Sequence, residues 1–95
     1  MDIEITARHY DASDTVRSYV EKEVSRLEKF HEKILECKVI LEKSKEGENI
    51  EIVLFLSGKT LSVSESSDEM IKSVDDAVKK MERQLRKFKG KRIAR

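Results

Sequence analysis

Apolar and polar residues alternate at the start of the chain and at three places in its middle. Alternation of this kind is typical of strands that bury one face. It predicts four strands, around residues 1–6, 37–42, 50–56 and 60–64. A turn over residues 43–49 would join the second strand to the third, and Gly58 marks a tight reversal before the fourth.

Apolar residues recur every three or four positions in two further segments, which is the pattern of helices that bury one face. The first helix is expected to begin at a cap formed by Ser13 or Asp14 and to end at about Phe30. Its apolar stripe comprises Val16, Tyr19, Val20, Val24, Leu27, Phe30 and Ile34.

The second helix is expected to begin at a capping box formed by Ser66 and Glu69, which lies just before an apolar-periodic run. Gly90 is a suitable stop, and residues 91–95 would form a frayed tail. The apolar stripe of this helix comprises Met70, Val74, Ala77, Val78, Met81, Leu85 and Phe88.

These elements predict one domain over residues 1–95 with the order β-α-β-β-β-α. A helical crossover joins the first two strands, which favours a parallel pair, whereas short turns favour antiparallel pairing of the others. Each helix has one apolar face, and so does the sheet. We therefore predict an α+β fold with two layers, in which both helices pack on one face of a four-stranded mixed sheet.

Charge is divided unevenly along a chain whose net charge is only +1. Residues 79–95 carry nine Lys/Arg and one acid, whereas residues 1–78 carry eleven Lys/Arg and eighteen acids, so the two parts have net charges of +8 and −7. Because Met81, Leu85 and Phe88 recur through the basic part at helical spacing, its cations are held on a packed helix. Cations at fixed positions on one face are what a polyanion-binding surface requires.

A helical wheel gives the candidate nucleic-acid-binding residues. On the second helix they are Lys79, Lys80, Arg83, Arg86, Lys87 and Lys89, with Lys72 on the same face. On one outward edge of the first helix they are Lys22, Arg26 and Lys29, with Lys33 on the same edge. A solvated helix face is the simpler interpretation, but such a face usually mixes the two signs of charge, and the second helix does not mix them on this face after Asp76.

Base stacking is not expected, because Tyr19, Phe30 and Phe88 lie on apolar stripes and Tyr10 is the one aromatic residue expected to be free. Recognition would then depend on shape and phosphate charge, with strong salt dependence. The first residues show neither the basic start nor the apolar stretch of a signal peptide, and no apolar run is long enough to span a bilayer. We therefore expect a cytoplasmic monomer that binds no membrane.

The remaining reactive residues predict no catalytic site. Nothing in the sequence brings His9, His31 and Cys37 together, and a lone cysteine forms no internal disulfide. Asp75 and Asp76 are neighbours on a helix and therefore point apart, which suits solubility or a local ion pair. We expect no enzyme activity, no cofactor, no metal site and no small-molecule substrate.

Several segments resemble the ribosome hibernation promoting factors, a family that also includes the ribosome-associated inhibitor and the sigma factor modulation proteins. The resemblance rests on Ile3-Glu4-Ile5-Thr6, on the run from Asp68 to Asp75 and on the run from Lys80 to Lys89, and it extends over nearly the whole chain. Arg17, Arg26, Leu27 and Glu28 match the family pattern of the first helix. Ile71 departs from it, because the family usually has an aromatic residue there.

This resemblance implies a protein that binds the small ribosomal subunit in the channel between head and body. There it would overlap messenger RNA and the A-site and P-site transfer RNAs, contact ribosomal RNA of the decoding region and hold ribosomes inactive during stress or stationary phase. Lys80, Arg83 and Lys87 match the family's basic positions on the second helix, and Arg26 matches on the first. Long members add a C-terminal domain that pairs ribosomes, so the resemblance implies either a short form that does not pair them alone or a piece cut from a long form.

Two other function classes stay open. The element order also resembles a double-stranded RNA-binding domain with an extra first strand, but such domains place their basic cluster at the start of the second helix, where this chain has Asp68 and Glu69. A protein–protein regulator, such as a sigma factor modulator, would use the acidic first part or an apolar patch of Ile40, Val53 and Phe55 on the outer sheet face. An ordinary uncovered sheet face is the simpler interpretation of that patch.

Overall fold

The computed structural model describes residues 1–30 and 33–93 of the chain. The elements are β1 (Asp2–Arg8), α1 (Asp14–Ser25), a 3₁₀ helix (Arg26–Phe30), β2 (Ile34–Ser44), β3 (Gly47–Leu56), β4 (Lys59–Ser67) and α2 (Met70–Ile93). The predicted order β-α-β-β-β-α and the α+β class are confirmed.

The four strands form one mixed sheet in the order β1-β2-β3-β4. As predicted, β1 and β2 are parallel, while β2–β3 and β3–β4 are antiparallel. One transverse row of the sheet pairs Ile5 with Val39, Val39 with Ile52, and Ile52 with Val63. Such rows place the apolar side chains on one face, where they form a single core with both helices.

The first helical segment ends at Phe30, as predicted, but its last five residues form a 3₁₀ helix instead of an α-helix. Ser13 is its N-cap, because the Ser13 hydroxyl accepts a hydrogen bond of 3.2 Å from the Val16 N–H. After Ser25 the chain continues as the 3₁₀ helix, in which residues three apart lie above one another, so Leu27 and Phe30 both face the core side. Ile34, predicted as the last residue of the helical stripe, is instead the first residue of β2.

The turn predicted between the second and third strands is present, but it is shorter than the predicted range 43–49, because only Lys45 and Glu46 separate β2 from β3. The polar residues before and after them pair across the hairpin, as Lys43 does with Glu48. These positions can be polar without ending the strands because one face of the hairpin is exposed. A run of polar residues was therefore a poor marker of where the strands stop.

The predicted capping box of the second helix is also wrong. Ser66 lies within β4, and its hydroxyl donates to the Asn49 side-chain oxygen at 2.5 Å. Helix α2 begins at Met70, whose N–H donates to the Glu48 carboxylate of β3 at 2.8 Å. The cap thus comes from a residue that is distant in sequence. At the other end, Gly90 does not stop α2, which continues to Ile93; residues 94 and 95 of the predicted frayed tail lie outside the described residues.

Candidate nucleic-acid interface

Helices α1 and α2 are joined by a hydrogen bond that Tyr19 donates from its hydroxyl to the Asp75 carboxylate. Both side chains are half-buried. This hydrogen bond, together with burial and the negative charge of Asp75, raises the pKa of Tyr19 to about 12. The contact fixes which side of each helix faces the other, and so determines where the cations of both helices lie.

Tyr19 orients the basic edge of α1 towards α2. On a helix, Lys22 and Arg26 lie on the same side as Tyr19, three and seven residues further along. Both are exposed, and the Arg26 guanidinium lies 3.2 Å from the Glu23 carboxylate. The exposed Lys29 follows in the 3₁₀ helix, whereas Lys33 lies in the turn before β2 and not on the helical edge where it was predicted. The basic edge of the first helical segment therefore adjoins α2.

The cations of α2 spread outwards from Asp75. Lys79 and Arg86 lie on the same side of α2 as Asp75 and face α1. Arg83 points away from the core. Lys80 and Lys87 lie on the side of β4. The predicted cations that the structure describes on α2, together with Lys72, are all exposed. The cations of the first helical segment and those of α2 together form one surface, which we call the basic face. It comprises Lys22, Arg26, Lys29, Lys79, Lys80, Arg83, Arg86 and Lys87. The side chain of Lys89, the remaining predicted residue, lies outside the described part of the structure.

Acidic residues lie close to some cations at the margins of the basic face. The Lys80 ammonium lies 3.2 Å from the Glu65 carboxylate of β4. The half-buried Glu82 lies one turn from Arg86 on the side of α2 that faces α1. Lys79, Arg83 and Arg86, at the exposed centre of the basic face, take part in none of the ion pairs formed by described residues.

Two aromatic rings lie beside the basic face and each is covered by a cation. The Arg86 guanidinium carbon lies 5.1 Å from the centre of the Phe30 ring, and the Lys59 ammonium lies 5.3 Å from that of Phe88. Both rings are half-buried at the rim of the core and not within it. Sequence reasoning missed Lys59, because only the β3–β4 hairpin brings this residue to the end of α2.

Several other predicted roles change or disappear. Tyr10 is not free: it is half-buried and packs against the core, and this burial, with the nearby Glu48, raises its pKa. Cys37 is fully buried, and burial raises the pKa of its thiol to about 12, so the thiol stays protonated at neutral pH and is a poor nucleophile. His9 is exposed between β1 and α1, and His31 lies outside the described residues.

Neither a metal site nor a membrane-spanning element occurs in the described parts of the chain. No group of His, Cys, Asp and Glu among residues 1–30 and 33–93 could hold a metal ion. Within the same ranges, neither helix is long and apolar enough to cross a membrane.

The outer face of the sheet has the opposite character to the basic face. It carries the carboxylates of Asp2, Glu4, Glu36 and Glu51. The Lys38 ammonium lies 5.7 Å from the Phe55 ring on this face, next to Val53, with which Lys38 pairs across the strands. The apolar patch predicted here is half-buried. The domain thus has a basic helical side and an acidic sheet side.

The fold and this surface define a small two-layer α+β domain that presents a rigid cationic face built from two helices. Residues 3–93 match the family described as "Sigma 54 modulation protein / S30EA ribosomal protein", and the chain belongs to this family. The resemblance stated from the sequence is confirmed. The family is described by ribosomal and regulatory names and not by a reaction, which agrees with the prediction that the chain is not an enzyme.

Individual relatives support the same assignment. A ribosome hibernation promoting factor of Azotobacter vinelandii is 34% identical over 95 residues, which are 100% of this chain and 89% of that protein. A ribosomal subunit interface protein from Coxiella burnetii superimposes with a TM-score of 0.89 at 30% identity, over 95% of this chain and 99% of the other. The protein Y N-terminal domain of Thermus thermophilus gives 0.84 at 30% identity, over 93% and 99% of the two chains.

Proposed function

We propose that this protein binds the small ribosomal subunit through the basic face and holds ribosomes inactive during stress or stationary phase. The site would be the channel between head and body, where the domain overlaps messenger RNA and the A-site and P-site transfer RNAs. The partner would be ribosomal RNA of the decoding region, and the protein would act in the cytoplasm, where ribosomes are. The names of the relatives support the ribosome as partner, and the channel follows from the family resemblance.

The observation that carries this proposal is the continuity of the basic face across two helices. Because Tyr19 is bound to Asp75, the cations of α1 and α2 belong to one rigid surface and not to two separate ones. A rigid array of exposed cations loses little conformational freedom when it meets phosphates, and it releases counterions from RNA on binding. An RNA surface with closely spaced phosphates therefore fits it well.

The acidic sheet side supports a single binding orientation. Phosphates attract the basic face and repel the carboxylates of Asp2, Glu4 and Glu51, so the domain would approach RNA with its helices first. We expect neutralisation of these three carboxylates to increase non-specific RNA binding.

The alternative of a duplex-binding domain is disfavoured by the charge at the start of α2. Asp68 and Glu69 directly precede this helix and Glu48 of β3 caps it, so the residues there are acidic and not basic.

Co-sedimentation with purified small subunits tests the proposal. The triple variant Lys80→Glu, Arg83→Glu and Lys87→Glu should lose binding at low salt, whereas the wild-type protein should bind and dissociate as salt rises. The matched control reverses three exposed lysines away from the basic face: Lys38→Glu, Lys43→Glu and Lys45→Glu. Circular dichroism checks that both variants are folded. Equal loss of binding in the two variants, or normal binding of the first, would reject the basic face as the binding surface.

Competition experiments test the place of binding. Messenger RNA with initiator transfer RNA should displace the protein from small subunits, because they would occupy the same channel. A generic RNA duplex of the same concentration should displace it much less. Equal affinity for any duplex would instead support the duplex-binding alternative.

A further inference from the structure

Arg86 lies over the aromatic ring of Phe30, a neighbour that an arginine does not need in order to bind a phosphate. Arg86 reaches from α2 towards the 3₁₀ helix, and its guanidinium lies over the Phe30 ring with 5.1 Å between the guanidinium carbon and the ring centre. Arginine is planar and can stack on aromatic faces, so a neighbouring ring restricts the orientations of the guanidinium. The pair therefore forms a cation–aromatic contact at the junction of the two helices.

Arg86 is the accessible member of this pair, because it is exposed while Phe30 is half-buried. Among the ion pairs formed by described residues, none involves Arg86, so no described carboxylate holds its guanidinium at ion-pair distance. An exposed planar cation beside a ring offers a surface on which another flat group can stack.

The second cation–aromatic pair on α2 differs in this respect. Lys59 lies over Phe88, but an ammonium is compact and strongly hydrated and has no plane on which a base could stack. Lys59 thus suits a phosphate, whereas Arg86 suits a nucleobase. The two pairs lie on opposite sides of α2 because residues 86 and 88 are two positions apart on the helix.

We propose that Arg86 and Phe30 form a stacking subsite for one unpaired nucleobase of the bound RNA; this rests on the proposed function, because it assumes that the basic face meets RNA. Unpaired bases in RNA stack on arginine planes as well as on aromatic rings. Such stacking tolerates any base, because every base has a flat face. The subsite would add affinity that does not depend on counterion release, beside the phosphate contacts of Lys79 and Arg83.

Binding of small subunits across a salt series separates stacking from charge. Arg86→Lys keeps the charge and removes the plane, and Phe30→Leu keeps an apolar residue and removes the ring. Because neither changes the number of phosphates neutralised, the slope of log Kd against log salt should stay as in the wild type. The affinity at each salt concentration should fall roughly tenfold, within the range that one stacked base contributes.

Phe55→Leu is the matched control, because Phe55 also lies beneath a cation but on the outer face of the sheet. It should leave both the affinity and the slope unchanged. Thermal unfolding of the three variants identifies any loss of fold, and Arg86→Lys keeps the test valid if Phe30→Leu destabilises the 3₁₀ helix.

The possible results distinguish this proposal from the proposed function. If Arg86→Lys binds as tightly as the wild type, or if its slope falls together with its affinity, the stacking subsite is wrong. Loss of binding by the charge-reversed variant at Lys80, Arg83 and Lys87 would still support the ribosomal function in that case. If both Arg86→Lys and the charge-reversed variant bind as tightly as the wild type, both proposals fail.

Discussion

The Tyr19 hydroxyl of α1 donates a hydrogen bond to the Asp75 carboxylate of α2, across 56 residues of sequence. Together with the Arg86 contact to Phe30, it relates the two halves of the basic face to one another. Helix–helix packing around it buries apolar residues of both helices, which fixes their distance but leaves some freedom to slide. A directional hydrogen bond between two particular residues restricts that sliding.

Removal of this hydrogen bond should destabilise the fold modestly. We expect Tyr19→Phe to lower the free energy of unfolding at pH 7 by about 1 kcal/mol, the usual value of one side-chain hydrogen bond. Urea denaturation followed by circular dichroism measures this. Tyr10→Phe is the control, because Tyr10 has no side-chain hydrogen bond among those described for this region. Equal stability of Tyr19→Phe and wild type would contradict the role given to this contact.

The same contact predicts a stability difference that depends on pH. Since the pKa of Tyr19 in the folded protein is raised to about 12, above its ordinary value of about 10, the neutral phenol is favoured by folding. Its contribution is fully present below about pH 10 and is lost as the pH rises through about 12. Urea denaturation at several pH values from about 9 to about 12, a range that roughly includes both pKa values, measures this effect. The difference in unfolding free energy between the wild type and Tyr19→Phe should shrink as the pH rises. A constant difference across this range would contradict the prediction.

Release of Lys80 from Glu65 should strengthen RNA binding. The Lys80 ammonium and the Glu65 carboxylate lie 3.2 Å apart. To contact a phosphate, the ammonium must break this ion pair or bind the phosphate and the carboxylate at the same time. Exposed ion pairs are worth roughly 0.2–1 kcal/mol, so Glu65→Gln should increase the affinity for small subunits by about 1.4- to 5-fold. Glu46→Gln, at an exposed residue of the turn between β2 and β3, makes the same change of charge away from the basic face. An equal gain in both variants would mean that net charge alone matters.

The cap supplied by Glu48 should stabilise α2. The Glu48 carboxylate accepts a hydrogen bond from the Met70 N–H at 2.8 Å. Glu48→Ala removes this acceptor and should cost about 1 kcal/mol of stability, as the loss of other helix caps does. Glu48→Gln keeps an oxygen acceptor and should cost less, because only the favourable charge near the helix N-terminus is lost. Chemical denaturation ranks the three proteins; a Gln variant as unstable as the Ala variant would contradict capping by the side-chain oxygen.

Two hairpin glycines should differ in their tolerance of alanine. Gly47 has a φ of +134°, and a Cβ there would lie 2.7 Å from the Ser67 carbonyl oxygen, which is backbone and cannot move without disturbing β4. Gly58 has a φ of +76° and no atom within 4 Å of such a Cβ. We expect Gly58→Ala to cost about 1–2 kcal/mol from backbone strain alone, and Gly47→Ala to cost clearly more. Thermal unfolding of both variants makes the comparison, and the reverse order would contradict it.

Much of the fold could be predicted from the sequence because burial follows local periodicity. Ile50, Ile52 and Leu54 alternate and are buried on one face of β3, and Val74 and Met81 recur at helical spacing and are buried in α2. Element ends were predicted less well. The start of α2 is set by Glu48, which precedes Met70 by 22 residues, so no local pattern could show it. Gly90 looked like a stop, yet the helix passes through it.

The order of elements, the faces that are buried and the cations on the outward side of α2 could all be predicted from the sequence. These properties depend on each residue's neighbours along the chain, and hydrophobic periodicity reports them directly. Only the tertiary structure decided that Tyr19 meets Asp75, that Arg86 lies over Phe30 and that Lys59 reaches Phe88. Such contacts join residues far apart in the chain, and their geometry depends on how the two helices and the β3–β4 hairpin pack together.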